Sequence, residues 1–310
     1  RTVSMTDQAG NLTTIQYDDG GRVVSKTFAD GGTWQYEYDA AGNVVKETGP
    51  EGAVTRKTYD AAGNVLSVTD NEGNQTSYQY NAMSKVVRAV NAMSGATEYA
   101  YSAAGDLLSE TDALGHTKTY TYDAFGELLT ATDARGNTTA YTYDANGNLL
   151  TVKDAENHVT TYTYNSLNQL VSVKDAKNNV TRYGYDALGR RTTVTDAKNH
   201  VFTTEYDGNG NVVRTKDAKG NTVSETVYNS LNLPASVKDA AGQTTRYTYN
   251  ALGKAATMTD AQNHVTAYEY DARGRNTSVT DASGGISRAE YDTQGHVTKR
   301  KGPLGGSTSY

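Results

Sequence analysis

Tyr122-Asp123-Ala124-Phe125-Gly126-Glu127-Leu128-Leu129-Thr130-Ala131-Thr132-Asp133-Ala134-Arg135-Gly136-Asn137-Thr138-Thr139-Ala140-Tyr141-Thr142 is followed at once by Tyr143, where the same pattern starts again. Two turn signals sit about ten residues apart in this unit. Asp123 to Gly126 follows the Tyr directly, and Asp133 to Gly136 comes half a unit later. Asp at the first turn position accepts a hydrogen bond from an N–H two residues on, and Gly at the fourth supplies a positive φ. That combination suits a type I turn closed by a glycine bulge, a common hairpin connection. Between the turns the pattern alternates: Thr139, Tyr141 and Tyr143 fall on one face, Thr138, Ala140 and Thr142 on the other. The return segment, such as Leu149 to Lys153, alternates too, with one extra apolar residue at its start. Each unit is therefore predicted to be one β-hairpin.

The unit recurs along the whole chain. A Tyr followed by Asp, Asn or Ser stands at Tyr17, Tyr38, Tyr59, Tyr80, Tyr101, Tyr122 and Tyr143, and again at Tyr164, Tyr185, Tyr206, Tyr228, Tyr249, Tyr270 and Tyr291. Every interval is 21 residues except the 22 between Tyr206 and Tyr228. The turns repeat with it, as at Asp186 to Gly189 and Asp217 to Gly220; Asn168 and Asn232 replace the turn Gly, and Asn is the next most tolerant of that conformation. Ser84 in the same position has no such excuse. The expected fold is all-β: 14–15 tandem hairpins, about thirty short strands, in one antiparallel array over residues 1–310, taken to be cut mid-repeat at both ends. Thirty strands at about 4.8 Å would span roughly 140 Å if flat. Open sheets seldom exceed about ten strands without curling, so a curved, spiralling sheet is expected.

Composition agrees. Leu, Ile, Val and Phe together make up about 15% of the 310 residues, too few to fill a barrel. A disordered chain would carry high net charge and few aromatics, whereas this one has a net charge of −6 and 24 tyrosines. There is no cysteine, hence no disulfide framework. No stretch approaches the roughly 18 apolar residues of a membrane helix, and no signal peptide opens the chain. The chain starts at Arg1, so its natural N-terminus is expected to lie further upstream. Mild acidity with mixed charge gives no reason to expect nucleic-acid binding.

The pattern Tyr-Asp-Ala-x-Gly-Asn/Arg, then Val-Thr-Asp-Ala-x-Gly-Asn-x-Thr-x-Tyr-x-Tyr, resembles the Rhs/YD-repeat family of bacterial polymorphic toxins, whose repeats also occur in toxin-complex shell subunits and animal teneurins. The resemblance implies a hollow β-shell, typically enclosing a C-terminal toxin segment until delivery, and a secreted or cell-surface location. The family's Asp-Pro-rich cleavage boundary has no match. Gly302-Pro303-Leu304-Gly305 is a repeat turn with Gly-Pro for Asp-Ala, like Gly49-Pro50 earlier. Self-cleavage and toxic activity are not carried over.

Several residue types invite sharper readings. The tyrosines could form a track for sugar or an unfolded cargo, but equivalent residues lie about 10 Å apart, too far to stack on each other. The plainer expectation is that each covers its hairpin's Leu/Val pair with its hydroxyl in water. His116, His158, His200 and His264 share one slot after the second turn, which Asn137 and Asn179 fill elsewhere. The first three recur every 42 residues, about 19 Å, so they cannot share a metal whose bonds are about 2 Å. The turn aspartates lack the dense spacing of calcium loops. Sequons at Asn11, Asn74, Asn137, Asn179 and Asn276 follow from Asn-ending turns running into Thr-rich strands. No catalytic signature occurs, and no cofactor is expected.

The departures from the repeat are more telling. The extra residue between Asp217 and Tyr228 should make a β-bulge; Asn232 replaces a turn Gly and Pro234 removes a strand N–H. Bending or irregular pairing is expected over 218–236. Two functions remain: a structural shell segment that carries a toxin cargo of the same polypeptide or joins a delivery apparatus, or a surface module binding carbohydrate or another protein. Unpaired strands at both ends of the array are expected to template self-association.

Overall fold

The structure, a computed structural model, describes residues 1–6, 12–292 and 295–309. Those residues contain thirty strands, from Thr2–Thr6 to Ser307–Ser309, and no helix. Each strand pairs antiparallel with the strands before and after it in sequence, and the sheet stays open.

Among the described residues the turns share one backbone device. In the turn after Tyr143 the Gly147 N–H donates to the Asp144 carbonyl at 3.1 Å and the Asp144 N–H to the Asn148 carbonyl at 2.9 Å. Asp144 Oδ1 accepts the N–H of Asn146 at 2.8 Å and of Asn148 at 3.0 Å, and Gly147 has a φ of 81°. The second turn, at Asp133, closes identically. Ser84 and Ser94 adopt the same left-handed position, with φ of 56° and 63°. An L residue there costs roughly 1–2 kcal/mol, which the surrounding turn bonds absorb.

A register shift precedes the Tyr of all fourteen hairpins. Thr142 pairs with Thr151 and Tyr143 with Leu149, so Leu150 is the added residue. This accounts for the extra apolar residue of the return segment. A bulge bends its strand and increases twist. Here one falls at the same place in every hairpin, so the bends accumulate and the ribbon curls.

The curl completes a circuit. The Arg273 guanidinium pairs with the Asp30 carboxylate, 243 residues away in sequence, and lies 5.2 Å from the centre of the Phe28 ring. The turn at 28–32 belongs to one edge of the ribbon and the turn at 271–274 to the other, so the sheet has climbed by one ribbon width per lap. About 23 strands separate the two turns, a contour of roughly 110 Å and, if round, a diameter of about 35 Å. Accessible surface is 19141 Å², against about 12,600 Å² for a compact protein of this mass. No hydrophobic side chain among the described residues is fully buried. The molecule is a single-layered wall without a core.

The two faces of the wall differ. One is polar, with cross-strand hydroxyl pairs such as Thr121–Thr130, Thr142–Thr151 and Thr248–Thr257, each at 2.6 Å. The other carries the tyrosines, with Tyr141 opposite Val152 and Tyr143 opposite Leu149.

The 22-residue interval holds an additional register shift, between Thr215 and Lys216, where Val223 is left over in the seven-residue strand Thr222–Tyr228. The irregular pairing expected over 218–236 therefore falls at Val223, and the strand that follows Asn232 is regular. Pro234 opens the strand Pro234–Asp239, the position in a strand that tolerates its missing N–H. The strands flanking it pair in the usual register.

Candidate functional site

The tyrosine face is where neighbouring hairpins are joined. Between hairpins the ladder covers three residue pairs, as in Thr130–Ala140, Ala131–Thr139 and Thr132–Thr138, except for the five pairs between Thr2–Thr6 and Leu12–Tyr17. The bulge splays the strands beyond that point, and the Leu128 carbonyl has no strand partner. The Tyr143 hydroxyl donates to it at 3.0 Å. Ten of the fourteen repeat tyrosines make this bond to the hairpin before: Tyr38, Tyr59, Tyr80, Tyr143, Tyr164, Tyr185, Tyr206, Tyr228, Tyr249 and Tyr291. The acceptor lies 15 residues upstream, or 16 for Tyr228, whose bond to Val212 survives the inserted residue. These hydroxyls are therefore engaged by the backbone, not left in water. Partial burial pushes the phenols of Tyr59, Tyr80, Tyr143, Tyr164 and Tyr249 up, which keeps them protonated donors. Tyr17, Tyr101, Tyr122 and Tyr270 occupy the same strand-end position.

A second set of bonds runs along the ribbon edge formed by the turns after each Tyr. Arg22, Arg190 and Arg275 each donate Nε to the Asp four residues earlier, at 2.7, 2.7 and 2.6 Å. Each reaches the next hairpin with Nη1, donating to the carbonyls of Asp39, Asp207 and Asp292 at 3.4, 2.8 and 2.8 Å. Their guanidinium carbons lie 4.7–4.8 Å from the ring centres of Tyr38, Tyr206 and Tyr291. Asn168 and Asn232 are more than tolerated glycine substitutes. Asn168 Oδ1 accepts from Asn146 and Asn148, and Asn232 Oδ1 from Asn209 and Asn211, across the gap between hairpins.

The histidine slot has the same logic. His116, His158, His200 and His264 place Nδ1 2.9–3.0 Å from the second carboxylate oxygen of the turn Asp, where Asn137 and Asn179 donate Nδ2 at 2.8 Å. His296 does this in a turn of the other kind. The sequence signal that could have revealed this clasp is the recurring Asp with Asn, His or Arg four residues on. Among the described residues no group of three or more His, Asp or Glu is placed to hold a metal. The clasps and backbone N–H groups hold Asp60, Asp133, Asp144 and Asp175 below the ordinary 3.8.

Two further features depart from the plain repeat. At the 22-residue interval Arg214 bridges Glu205 at 2.8 Å and Glu225 at 2.5 Å, while Lys216 donates to Glu205 at 2.6 Å. These cations hold both glutamates below their ordinary value. The other is an open cleft of about 700 Å³ on the tyrosine face, lined by Phe125, Leu129, Tyr141 and Tyr143 with Asp123 and Glu127. Desolvation, with Asp123 and Asp144 nearby, pushes the Glu127 carboxyl up.

The geometry defines a class: a tandem-hairpin wall whose repeated residues are joints, with no repeated reactive group. The family model for the Teneurin YD-shell matches residues 58–201, and that for the RHS Repeat matches 17–54, 228–262 and 249–286. Between them the two models match most of the hairpins from Tyr17 to Ile286, so the chain carries repeats of the Rhs/YD type. Among solved structures it is similar to a TcdB2–TccC3 complex, at 14% identity with a TM-score of 0.66. The TcdB2–TccC3–Cdc42 complex gives 14% and 0.62. In both, 97% of this chain aligns with 21% of theirs. The Photorhabdus luminescens Tc holotoxin pore aligns at 14% identity with a TM-score of 0.54, over 94% of this chain and 21% of that one. The chain thus spans about a fifth of the chains it matches, and the likeness is one of fold. No curated protein matches it.

Proposed function

We propose that this segment is part of the wall of a chamber that holds a toxin cargo, carried in the same polypeptide or handed on by a delivery apparatus, in a secreted or cell-surface protein. The observation that carries the proposal is the full lap closed by Arg273 on Asp30 and Phe28. A single-layered wall that returns on itself at a diameter of about 35 Å surrounds a lumen that this chain's own side chains do not fill. The wall does no chemistry in this scheme. Its repeated aspartates and tyrosines are consumed in turns and joints. The test is limited proteolysis of the natural polypeptide that contains this segment. Non-repeat sequence inside the wall should survive protease doses that digest it when it is expressed alone. Equal rates of cleavage would refute the chamber.

The cleft at Phe125, Tyr141 and Tyr143 favours a second function, carbohydrate recognition. Aromatic faces stack on sugar rings, and Asp123 and Glu127 are acceptors for sugar hydroxyls. Glycan-array binding at micromolar affinity that is lost with Tyr141→Ala would support it, and a blank array would remove it.

A further inference from the structure

The joints between hairpins are unequal. Among the described residues the tyrosine hydroxyl bond is missing at two consecutive joints, those that precede Tyr101 and Tyr122. Hairpin 96–111, made of the strands Ala96–Tyr101 and Leu107–Thr111, therefore lacks it on both sides. Tyr17 and Tyr270 lack the bond too, but their hairpins are tied on the other side through Tyr38 and Tyr291. Nor do the described residues place across these two joints a turn-edge bond of the kind that Arg190 and Asn148 make elsewhere.

The chain on the N-terminal side of this hairpin is strained. Three successive turns lack the Asp and start instead at Asn81, Asn91 and Ser102. Apart from asparagines, the described non-glycine residues with positive φ are Ser84 and Ser94, which close the first two of these turns. Asn81 and Asn91 still accept two N–H groups each. Neither turn has the side-chain clasp that Asn64 makes on Asp60. What spans the two joints is charge. Arg88 Nε lies 3.5 Å from Glu98, opposite it in the ladder to the preceding hairpin. Lys118 Nζ lies 3.8 Å from Glu110, opposite it in the ladder to the following one. The Thr111–Thr117 hydroxyl pair, at 2.9 Å, is the other side-chain bond there. Pairs such as Glu37–Lys46 lie within one hairpin, and where Arg214–Glu225 crosses a joint the Tyr228 hydroxyl spans it as well. Exposed ion pairs stabilise weakly and are screened by salt.

We propose that hairpin 96–111 is a panel at which the wall opens. It parts from both neighbours while the rest of the sheet stays paired, pivoting on the turns 91–95 and 112–116. Glu98 and Glu110, one toward each neighbour, are its latches. Only three ladder pairs on each side must break for it to move. The gap it leaves is two strands wide, about 10 Å, which admits an extended chain and excludes a folded domain. The panel is a property of the wall's own bonds and is independent of any cargo.

Hydrogen exchange on the whole chain tests this, with hairpin 138–153, tied by Tyr143 and Tyr164, as the internal reference. Protection at 96–98 and 109–111 should be roughly tenfold lower than at 138–140 and 151–153. Raising salt from about 50 mM to about 1 M should lower it a further two- to threefold at the panel alone. Glu98→Gln with Glu110→Gln should give that loss already at low salt and abolish the salt response. A second measurement separates a panel from two independent weak joints. The chain has no cysteine, so Ala89→Cys with Thr97→Cys, directly opposite in the ladder, staples one joint only. Oxidising the staple should raise protection at 109–111 as well as at 96–98. Equal protection in the two hairpins, a salt response shared by hairpin 138–153, or a staple that leaves 109–111 unchanged would each overturn the proposal.

Discussion

Replacing Tyr143 by Phe removes one oxygen atom and leaves the ring opposite Leu149. The Tyr143 hydroxyl donates at 3.0 Å to the Leu128 carbonyl, which the bulge has left without a strand partner. A neutral hydrogen bond contributes about 0.5–1.5 kcal/mol net. Water reaches this half-buried carbonyl in part, so the lower half of the range applies, about 0.5–1 kcal/mol. In a repeat array each unit contacts only its neighbours, so the loss should appear as local opening of the adjoining hairpins. Amide exchange in the strand Thr138–Tyr143 and its partner Leu128–Thr132 should accelerate roughly two- to fivefold, with little change at hairpins four repeats away. Tyr141→Phe is the control, because that hydroxyl makes no bond among the described residues. Ten such bonds amount to roughly 5–10 kcal/mol, which is on the scale of a whole domain's stability of about 5–15 kcal/mol. Equal exchange in the two variants, or acceleration spread evenly along the chain, would refute the view that the tyrosine hydroxyls join the hairpins.

Three further outcomes are expected. The turn carboxyls at Asp60, Asp133, Asp144 and Asp175 have folded-state values below 3.8, so their contribution is fully present above that value and is lost as pH falls through the lower ones. Thermal midpoints should be level from pH 7 to about 5 and fall steeply below about 4; a midpoint held constant to pH 2 would contradict this. Arg273→Ala should release the lap, so the radius of gyration from X-ray scattering should rise while the β signal in circular dichroism is kept. An unchanged radius would show that the seam does not hold the curl. Ser84→Gly relieves a left-handed residue at φ 56° and should raise stability by about 0.5–1 kcal/mol in urea titration, whereas a loss would mean that the Ser side chain has a role in the turn.

Much of this architecture is legible in Asp-Ala-x-Gly and Tyr-x-Tyr alone. The turns are short-range devices in which an Asp reads the N–H groups two and four residues on, so local sequence determines them. The doubled apolar residue at Leu149-Leu150 likewise encodes the bulge. The role of the Tyr hydroxyl was not legible. Its acceptor is a carbonyl of the previous hairpin, and that carbonyl is free only because bulged strands splay. Nor was the harmlessness of Pro234, which depends on its falling at the first position of a paired strand.

The sequence by itself therefore determined the hairpin, its period and the sense that thirty strands must curl. The tertiary structure decided how tightly they curl, and hence that Arg273 comes to rest on Phe28 and Asp30. The reason is physical. Bulge and twist act by small rotations at each hairpin, and only their sum over a whole lap sets which residues meet. No local pattern carries that sum, so Phe28 looks like a defect in the repeat until the next lap arrives.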